Sequence, residues 1–430
     1  MTGATQDMPG AVETALRIAE GRSTALKELD ACLERIDATE DDIGAWVALD
    51  RAGARDMAAA LDARGTSGLL HGIPMAVKDI FAVKGMPWRC GSPIWKDRVA
   101  TFDAGSVALA RAAGAVLVGK TETTEFASYN PARTRNPHNP ARTPGGSSSG
   151  SAAAVAAGMV PLAFGTQTSG SIIRPASYCG VVGFKPSFDL IEPGGVAPLA
   201  RSLDTIGLFA RSVADVALGV TALTGIDLAP EPATDRAEYP LDVSAAWDDA
   251  EPALRTAWAA FTDSLAPAGR QQNFPTELTA ALRGAADLHG RIMDGESAEA
   301  LAFEHATAPD LLSDKLRAHL EAGRALSGAE RAADWAAMRR LRAMMDATLA
   351  PDAVWLTPAA TGPAPAIESG TGSPAFNRIW TLLGLPCCTV PILRAEDGMP
   401  MGVQVVGAMG NDRGVLQMAH DLMARYGAAG

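Results

Sequence analysis

The sequence predicts an α/β fold: a single large domain whose central mixed β-sheet is covered by helices. Three observations carry this reading. In the first half, short β-branched apolar runs alternate with helical periods, the pattern of strands joined through helices. Residues 230–345 are then helix-rich. Strand character returns at "AVWLTPAA" (353–360) and "MGVQVVGA" (401–408), so the late chain rejoins the early sheet. A length of 430 residues fits two or three domains as readily as one. It is the return that favours one interleaved unit over 1–430, and the alanine bias shows no internal repeat.

Taken in order, residues 1–64 are expected to be N-terminal packing helices: 11–64 carry two or three amphipathic periods, with Ser23 as an N-cap. After Gly68, "LLHGIPMAVKDIFAV" turns β-branched and apolar, as a buried strand does. "DAGSVALARAAGAVLVGKT" (103–121) reads as a helix stopped near Gly114 and a strand after it. The four prolines of 128–145 exclude a central strand or a helix there, leaving a loop. Short apolar runs separated by glycines occupy 165–212, and "SVADVALGVTALTG" is a helix that stops at Gly225. In the middle region the clearest helical periods are "SAAWDDAEPALRTAWAAFTDSLAP" and "SGAERAADWAAMRRLRAMMDATLAP".

Composition narrows the function. Hydrophobic residues at 47% and charged residues at 20% allow a sizeable core and argue against global disorder. A net charge of −12 argues against nucleic acid and anionic membranes as general partners. The five cysteines, Cys32, Cys90, Cys179, Cys387 and Cys388, have no CxxC spacing and no zinc-like cluster with histidine. They read as reduced, mostly buried thiols of a cytoplasmic protein. The first residues lack a basic start followed by an apolar run, so no signal peptide is expected, and no apolar stretch reaches membrane-spanning length. The six histidines show no metal-ligand spacing and are read as incidental, with His138 a candidate for a pocket wall. No metal and no cofactor is expected.

The stretch "GGSSSGSAAAVAAG" (145–158) sets the chemical question. As a phosphate loop, Gly145 to Gly150 fits the glycine spacing but has Ser151 where lysine must reach the phosphates. As a nucleophile elbow, Gly146, Ser148 and Gly150 fit, yet "NPHNPARTP" stands where a strand must precede the turn. A flexible linker would not run straight into an alanine-rich helix.

Three motifs read together go further. "GIPMAVKD" places Lys78 in an apolar run, "PGGSSSGSAAAVAAG" holds Ser147, and "GTQTSGSIIRPASYCGVVGFKP" holds Ser171, 24 positions later. In this order and spacing, and with "FNRIWTLLGLPCCTVP" and "GMPMGVQVVG" near the C-terminus, the chain resembles the amidase signature family of serine hydrolases. The resemblance covers most of the chain outside the helical middle. It implies Ser171 as acyl nucleophile, Ser147 as the bridging serine after a cis Gly146–Ser147 bond, and Lys78 as general base. A serine hydroxyl needs such a base, and a lysine serves only when desolvation keeps it neutral. Asp79, next on the strand, faces the other way and need not pair with it. The loop Thr168, Ser169, Gly170, Ser171 would supply oxyanion donors. Ser148 and Thr166 are carried along as substrate-side residues, Ser148 bracing the turn, while Ser149 and Ser151 are expected to cap the next helix. The family more often has glycine at Ser169 and aspartate at Gln167, which leaves open how the loop is braced.

Arg174 bears on the substrate. The resemblance puts arginine two places after the nucleophile in many members; here Ile173 stands there, and "GSIIRPA" is more similar to malonamidase, where an arginine at this offset grips the substrate carboxylate. The expected substrate is a small amide, a carboxylate-bearing half-amide being one candidate, with water as the second reactant. A broad aryl-amide, ester or carbamate hydrolase, with a pocket built from the helix-rich 230–345 region, stays open, as does a glutamine-amidotransferase-type component that releases ammonia to a partner. So does a homodimer.

Overall fold

Nine strands form one sheet in the computed structural model, which describes residues 8–427 apart from 66, 129, 235–238, 243–245 and 266–273. The strands are β1 (Trp46–Leu49), β2 (Pro74–Lys78), β3 (Val116–Thr121), β4 (Leu162–Gln167), β5 (Val182–Lys185), β6 (Thr205–Ala210), β7 (Val354–Pro358), β8 (Cys387–Arg394) and β9 (Pro400–Gly407). Their order across the sheet is β1-β3-β2-β4-β6-β5-β8-β9-β7. β2 runs parallel to β3 and β4 while the remaining pairs are antiparallel, so the sheet is mixed, as the alternation of elements predicts. The late strands β8 and β9 join the early sheet through β5.

The N-terminal region holds three helices, α1 (Ala11–Ala19), α2 (Ala25–Ile43) and α3 (Arg51–Arg64). Two details differ from expectation. Thr24, one residue past Ser23, caps α2 by accepting the Lys27 amide, and the four-residue strand β1 separates α2 from α3. The strand expected over 69–83 is confined to β2, and the loop over 128–145 holds neither helix nor strand among its described residues. Helix α4 (Gly105–Ala112) leads into β3, α5 (Ser149–Ala156) into β4, and α6 (Ile173–Cys179) into β5. Helix α7 (Val213–Thr224) is capped by Ser212, which accepts the Asp215 amide, and ends at Gly225 with φ of 73°, a left-handed turn that glycine adopts without a Cβ clash.

Among the described residues seven helices, α8 (Pro252–Ser264), α9 (Thr276–Leu282), α10 (Ala285–Ala300), α11 (Ala302–Thr307), α12 (Asp314–Ala325), α13 (Gly328–Thr348) and α14 (Ala375–Leu382), follow, and α15 (Asp412–Tyr426) comes last. The first predicted middle helix is α8 in its described part, with 244–245 and 266–267 outside the described residues. Two apolar clusters cover the two faces of the sheet: Met75 and Val77 of β2 join one and Ala76 the other, together with Ala152–Val155 of α5. A third cluster packs α10, α13 and α14 around Trp355 and Trp380, whose rings meet edge-on at 5.4 Å. All five cysteines are free and buried, which fits the reading of reduced thiols. Among the described residues no helix is long and apolar enough to cross a membrane.

Candidate active site

Lys78 ends β2 and is fully buried. Its Nζ lies 2.8 Å from Ser147 Oγ and 2.8 Å from Thr166 Oγ1, the latter on β4 beside it. Burial draws its pKa from 10.5 down to about 7, against the opposing pull of the Asp204 carboxylate. Asp79 turns the other way and forms a buried ion pair at 2.7 Å with Lys120, so among the described residues Lys78 has no carboxylate contact. The expectation from strand alternation holds here.

Ser147 follows a cis peptide bond from Gly146 and immediately precedes the turn into α5. Ser148 Oγ donates to Thr166 O at 3.2 Å and accepts the Thr166 amide at 3.3 Å, bracing the turn against β4. Ser149 and Ser151 lie inside α5 and cap nothing: Ser149 Oγ donates to Ser147 O, and Ser151 Oγ bonds Phe164 O and Thr121 Oγ1. A serine within the first turn has already passed the N-cap position, and its hydroxyl then bonds neighbouring carbonyls instead.

Ser171 stands at the end of the loop that leaves β4, 6% exposed. Among the described residues its Oγ makes no hydrogen bond, so the Lys78–Ser147 link is formed and a Ser147–Ser171 link is not. The amides of Thr168, Ser169, Gly170 and Ser171 likewise donate to no described group, leaving four backbone N–H groups together on one short loop. Gly170 permits close approach, for a Cβ there would fall 2.4 Å from Asn377 Oδ1.

Four side chains hold this loop. Gln167 accepts the amides of Ile172 (2.9 Å) and Ile173 (3.0 Å) on its carbonyl oxygen and donates to Thr381 Oγ1 at 3.0 Å. Thr381, on α14, donates to Ser169 O at 2.8 Å. His289, fully buried on α10, donates from Nε2 to Thr168 O at 2.8 Å, and burial lowers its pKa to about 4. Asp204 accepts Thr168 Oγ1 and the amides of Leu199 and Ala200, and desolvation raises its pKa to about 6. Gln167 thus answers how a loop without the more common aspartate is braced. His289, Asp204 and Thr381 carry no local motif, and reading His289 as incidental is corrected by its contact with the loop. His138 bonds the Cys179 carbonyl and lines neither cleft beside the site.

Arg174 is 5% exposed. Its guanidinium donates to Gly146 O at 2.6 Å and Gly372 O at 2.7 Å, while its own amide donates to Gly170 O at 3.0 Å. It therefore ties the turn bearing Ser147 to the loop bearing Ser171. A cleft of about 400 Å³ opens beside Thr166 and Thr168, walled by Ile80, Phe188, Leu199 and Ile206. None of its lining comes from 230–345; that region instead backs the loop through His289 and lines a second cleft through Glu251, Lys315 and His319. Among the described residues no group of three or more His, Cys, Asp or Glu side chains could hold a metal ion.

A mixed sheet thus buries a lysine against a serine-bearing turn, beside a loop of open backbone amides. The family model described as Amidase matches residues 28–416, and the chain belongs to the amidase family. It is 44% identical over 219 residues to a glutamyl-tRNA(Gln) amidotransferase subunit of Roseiflexus castenholzii, covering 49% of this chain and 45% of that protein. The corresponding amidotransferase subunit from Desulforapulum autotrophicum is 43% identical over 261 residues, 58% and 50% of the two chains. The chain spans about half the length of the curated relatives it matches. Solved structures align over nearly the whole chain. A crystal structure of an amidase gives a TM-score of 0.88 at 33% identity, covering 97% of this chain and 100% of that one. Peptide amidase from Stenotrophomonas maltophilia gives 0.80 at 27%, covering 97% of both.

Proposed function

We propose that the protein is a serine amidohydrolase that cleaves a C–N amide bond through an acyl-enzyme on Ser171. The observation that carries this is the 2.8 Å contact between Ser147 Oγ and a fully buried Lys78 whose pKa is brought to about 7. A neutral amine has two hydrogens and one lone pair. One hydrogen goes to Thr166 Oγ1, which leaves the lone pair to receive the Ser147 proton. Ser147 in turn takes the proton of Ser171 as Ser171 Oγ attacks the amide carbon. The open amides of 168–171 stabilise the oxyanion. Collapse breaks the C–N bond, the proton returns through Ser147 to the leaving nitrogen, and water repeats the sequence to release the acid. Thr166 thus orients the base, and Arg174 positions the two serine-bearing segments; neither need touch substrate for these roles. The site acts in a cytoplasmic protein without cofactor.

A partner-dependent amidotransferase role is the second reading, favoured by the likeness to amidotransferase subunits over half the chain. The purified chain, offered a panel of acidic and neutral amides, should release ammonia or amine alone, and a fluorophosphonate should label Ser171 by peptide mapping. Labelling at Ser148, or turnover only after a second protein is added, would overturn the primary reading. Ser171→Ala should lower kcat by a factor on the order of a million, as loss of a triad nucleophile does, with the fold retained.

A further inference from the structure

The cleft beside the nucleophile loop carries a cation that this chemistry does not use. Four charged side chains line it: Asp189, Glu192, Arg201 and Asp204. Asp204 accepts from Thr168 and from two amides. Glu192 accepts the Gly194 amide at 2.7 Å and lies against Gly105, the first residue of α4, where the helix terminus favours negative charge. Asp189 stands exposed. Arg201 is exposed too and, among the described residues, has neither an ion pair nor a hydrogen bond from its guanidinium. It precedes Asp204 by three residues, and Asp204 holds Thr168, three residues before Ser171. Arg174, by contrast, lines no part of this cleft, and its guanidinium is engaged by the Gly146 and Gly372 carbonyls.

The remaining walls, Ile80, Phe188, Val196, Leu199 and Ile206, are apolar. A volume of about 400 Å³ falls in the range of ligand pockets, ~300–1,000 Å³, and exceeds what a malonamate-like half-amide would fill. We propose that Arg201 is the specificity residue of this cleft, recognising a carboxylate at the far end of an amide whose middle is apolar. The substrate class is then an ω-carboxylated amide. The apolar body lies along the cleft, the carbonyl carbon meets Ser171, and the distal carboxylate forms a solvent-facing pair with the guanidinium. This rests on Ser171 as the nucleophile.

The test uses three amides of one length ending in a carboxylate, a methyl group and an ammonium group. Wild-type protein should prefer the carboxylate. Arg201→Gln should raise KM for that substrate about 1.5- to fivefold, the scale of an exposed charge pair, with kcat and the methyl substrate unchanged. Arg201→Lys should retain most of the preference. Raising salt from about 50 to about 500 mM should erode the preference in wild type but not in Arg201→Gln, where only repulsion from Asp189, Glu192 and Asp204 is left to screen, a response no purely structural role gives. Arg174→Ala should depress all three substrates alike. An unchanged carboxylate preference in Arg201→Gln, or a wild-type preference for the ammonium substrate, would overturn the proposal, the second assigning the cleft to Asp189. Fluorophosphonate labelling of Ser171 at the wild-type rate in Arg201→Gln separates this outcome from failure of the catalytic reading, in which wild-type protein itself is not labelled.

Discussion

Replacing Lys78 by methionine should abolish turnover and at the same time stabilise the fold. The side chain is fully buried, and burial brings its pKa from 10.5 to about 7. At about 1.4 kcal/mol for each tenfold step, that depression corresponds to about 5 kcal/mol between charged and neutral forms. In the unfolded chain a lysine stays protonated to about pH 10.4, whereas here it is neutral above about 7. Between those values the unfolded chain binds the extra proton, so stability rises with pH across that window. Lys78→Met removes the charge-burial penalty and leaves Ser147 and Thr166 each without a partner, at about 1 kcal/mol apiece. The net gain near pH 7 is on the order of 3 kcal/mol. Urea unfolding from pH 7 to 9 measures it: the wild-type midpoint should climb with pH by an increment that the variant lacks. Turnover reports the same group, with kcat/KM rising through a midpoint near 7. Asp204→Asn removes the charge that favours the ammonium form and should move that midpoint lower. Lys78→Arg remains charged and should stay inactive. A kinetic midpoint near 10, or identical pH dependence of unfolding with and without Lys78, would refute the neutral-base argument.

The other predictions concern the braces of the nucleophile loop. Gln167→Ala leaves the Ile172 and Ile173 amides without their acceptor, a cost of about 1–3 kcal/mol each when buried. It should lower kcat about 10- to 100-fold with little change in KM; equal loss in both would point to a binding role instead. His289→Ala should slow fluorophosphonate labelling of Ser171 by a similar factor, and His289→Gln, which keeps a side-chain N–H for the Thr168 carbonyl, should recover most of it. Failure of glutamine to outperform alanine would deny the hydrogen bond its role. Burial holds His289 near 4 in the fold, against about 6.5 when unfolded. The unfolded chain therefore takes up the proton first on acidification, and stability should fall between pH 6.5 and 4, less so in His289→Gln, as urea midpoints would show.

Much of the fold was legible because its signals are local. Helix α7 stops at Gly225, as its sequence implies, and Ser212, the first residue of that helical run, caps its N-terminus. β3 and β9 are apolar runs ended by glycine or polar residues, and β9 pairs antiparallel with β8 and β7. Strand β1 was hidden for a physical reason. Its four residues are too few for a period of two to stand out between α2 and α3, and its strand state comes from pairing with β3, about 70 residues away by sequence. The cap of α2 was missed by one position because serine and threonine both serve, and only the backbone angles at Thr24 choose between adjacent candidates.

The same division runs through the site. Lys78, Ser147 and Ser171 are recognisable because each sits in a short motif whose glycines and apolar neighbours are contiguous in sequence. The groups that hold them are not contiguous: His289 reaches Thr168 across 121 positions, Thr381 reaches Ser169 across 212, and Asp204 reaches Thr168 across 36. A brace of this kind is specified only by where a donor or acceptor ends up, so its residue type carries little local information. Gln167 shows how loose that specification is, since an amide oxygen can accept the two backbone amides that a carboxylate would also accept. Arg174 was read as a carboxylate-binding residue; in the fold its guanidinium donates to the Gly146 and Gly372 carbonyls, contacts that no local motif announces. The candidate groups were therefore legible from residue type and order, whereas their alignment depends on long-range hydrogen bonds that only the folded chain brings together.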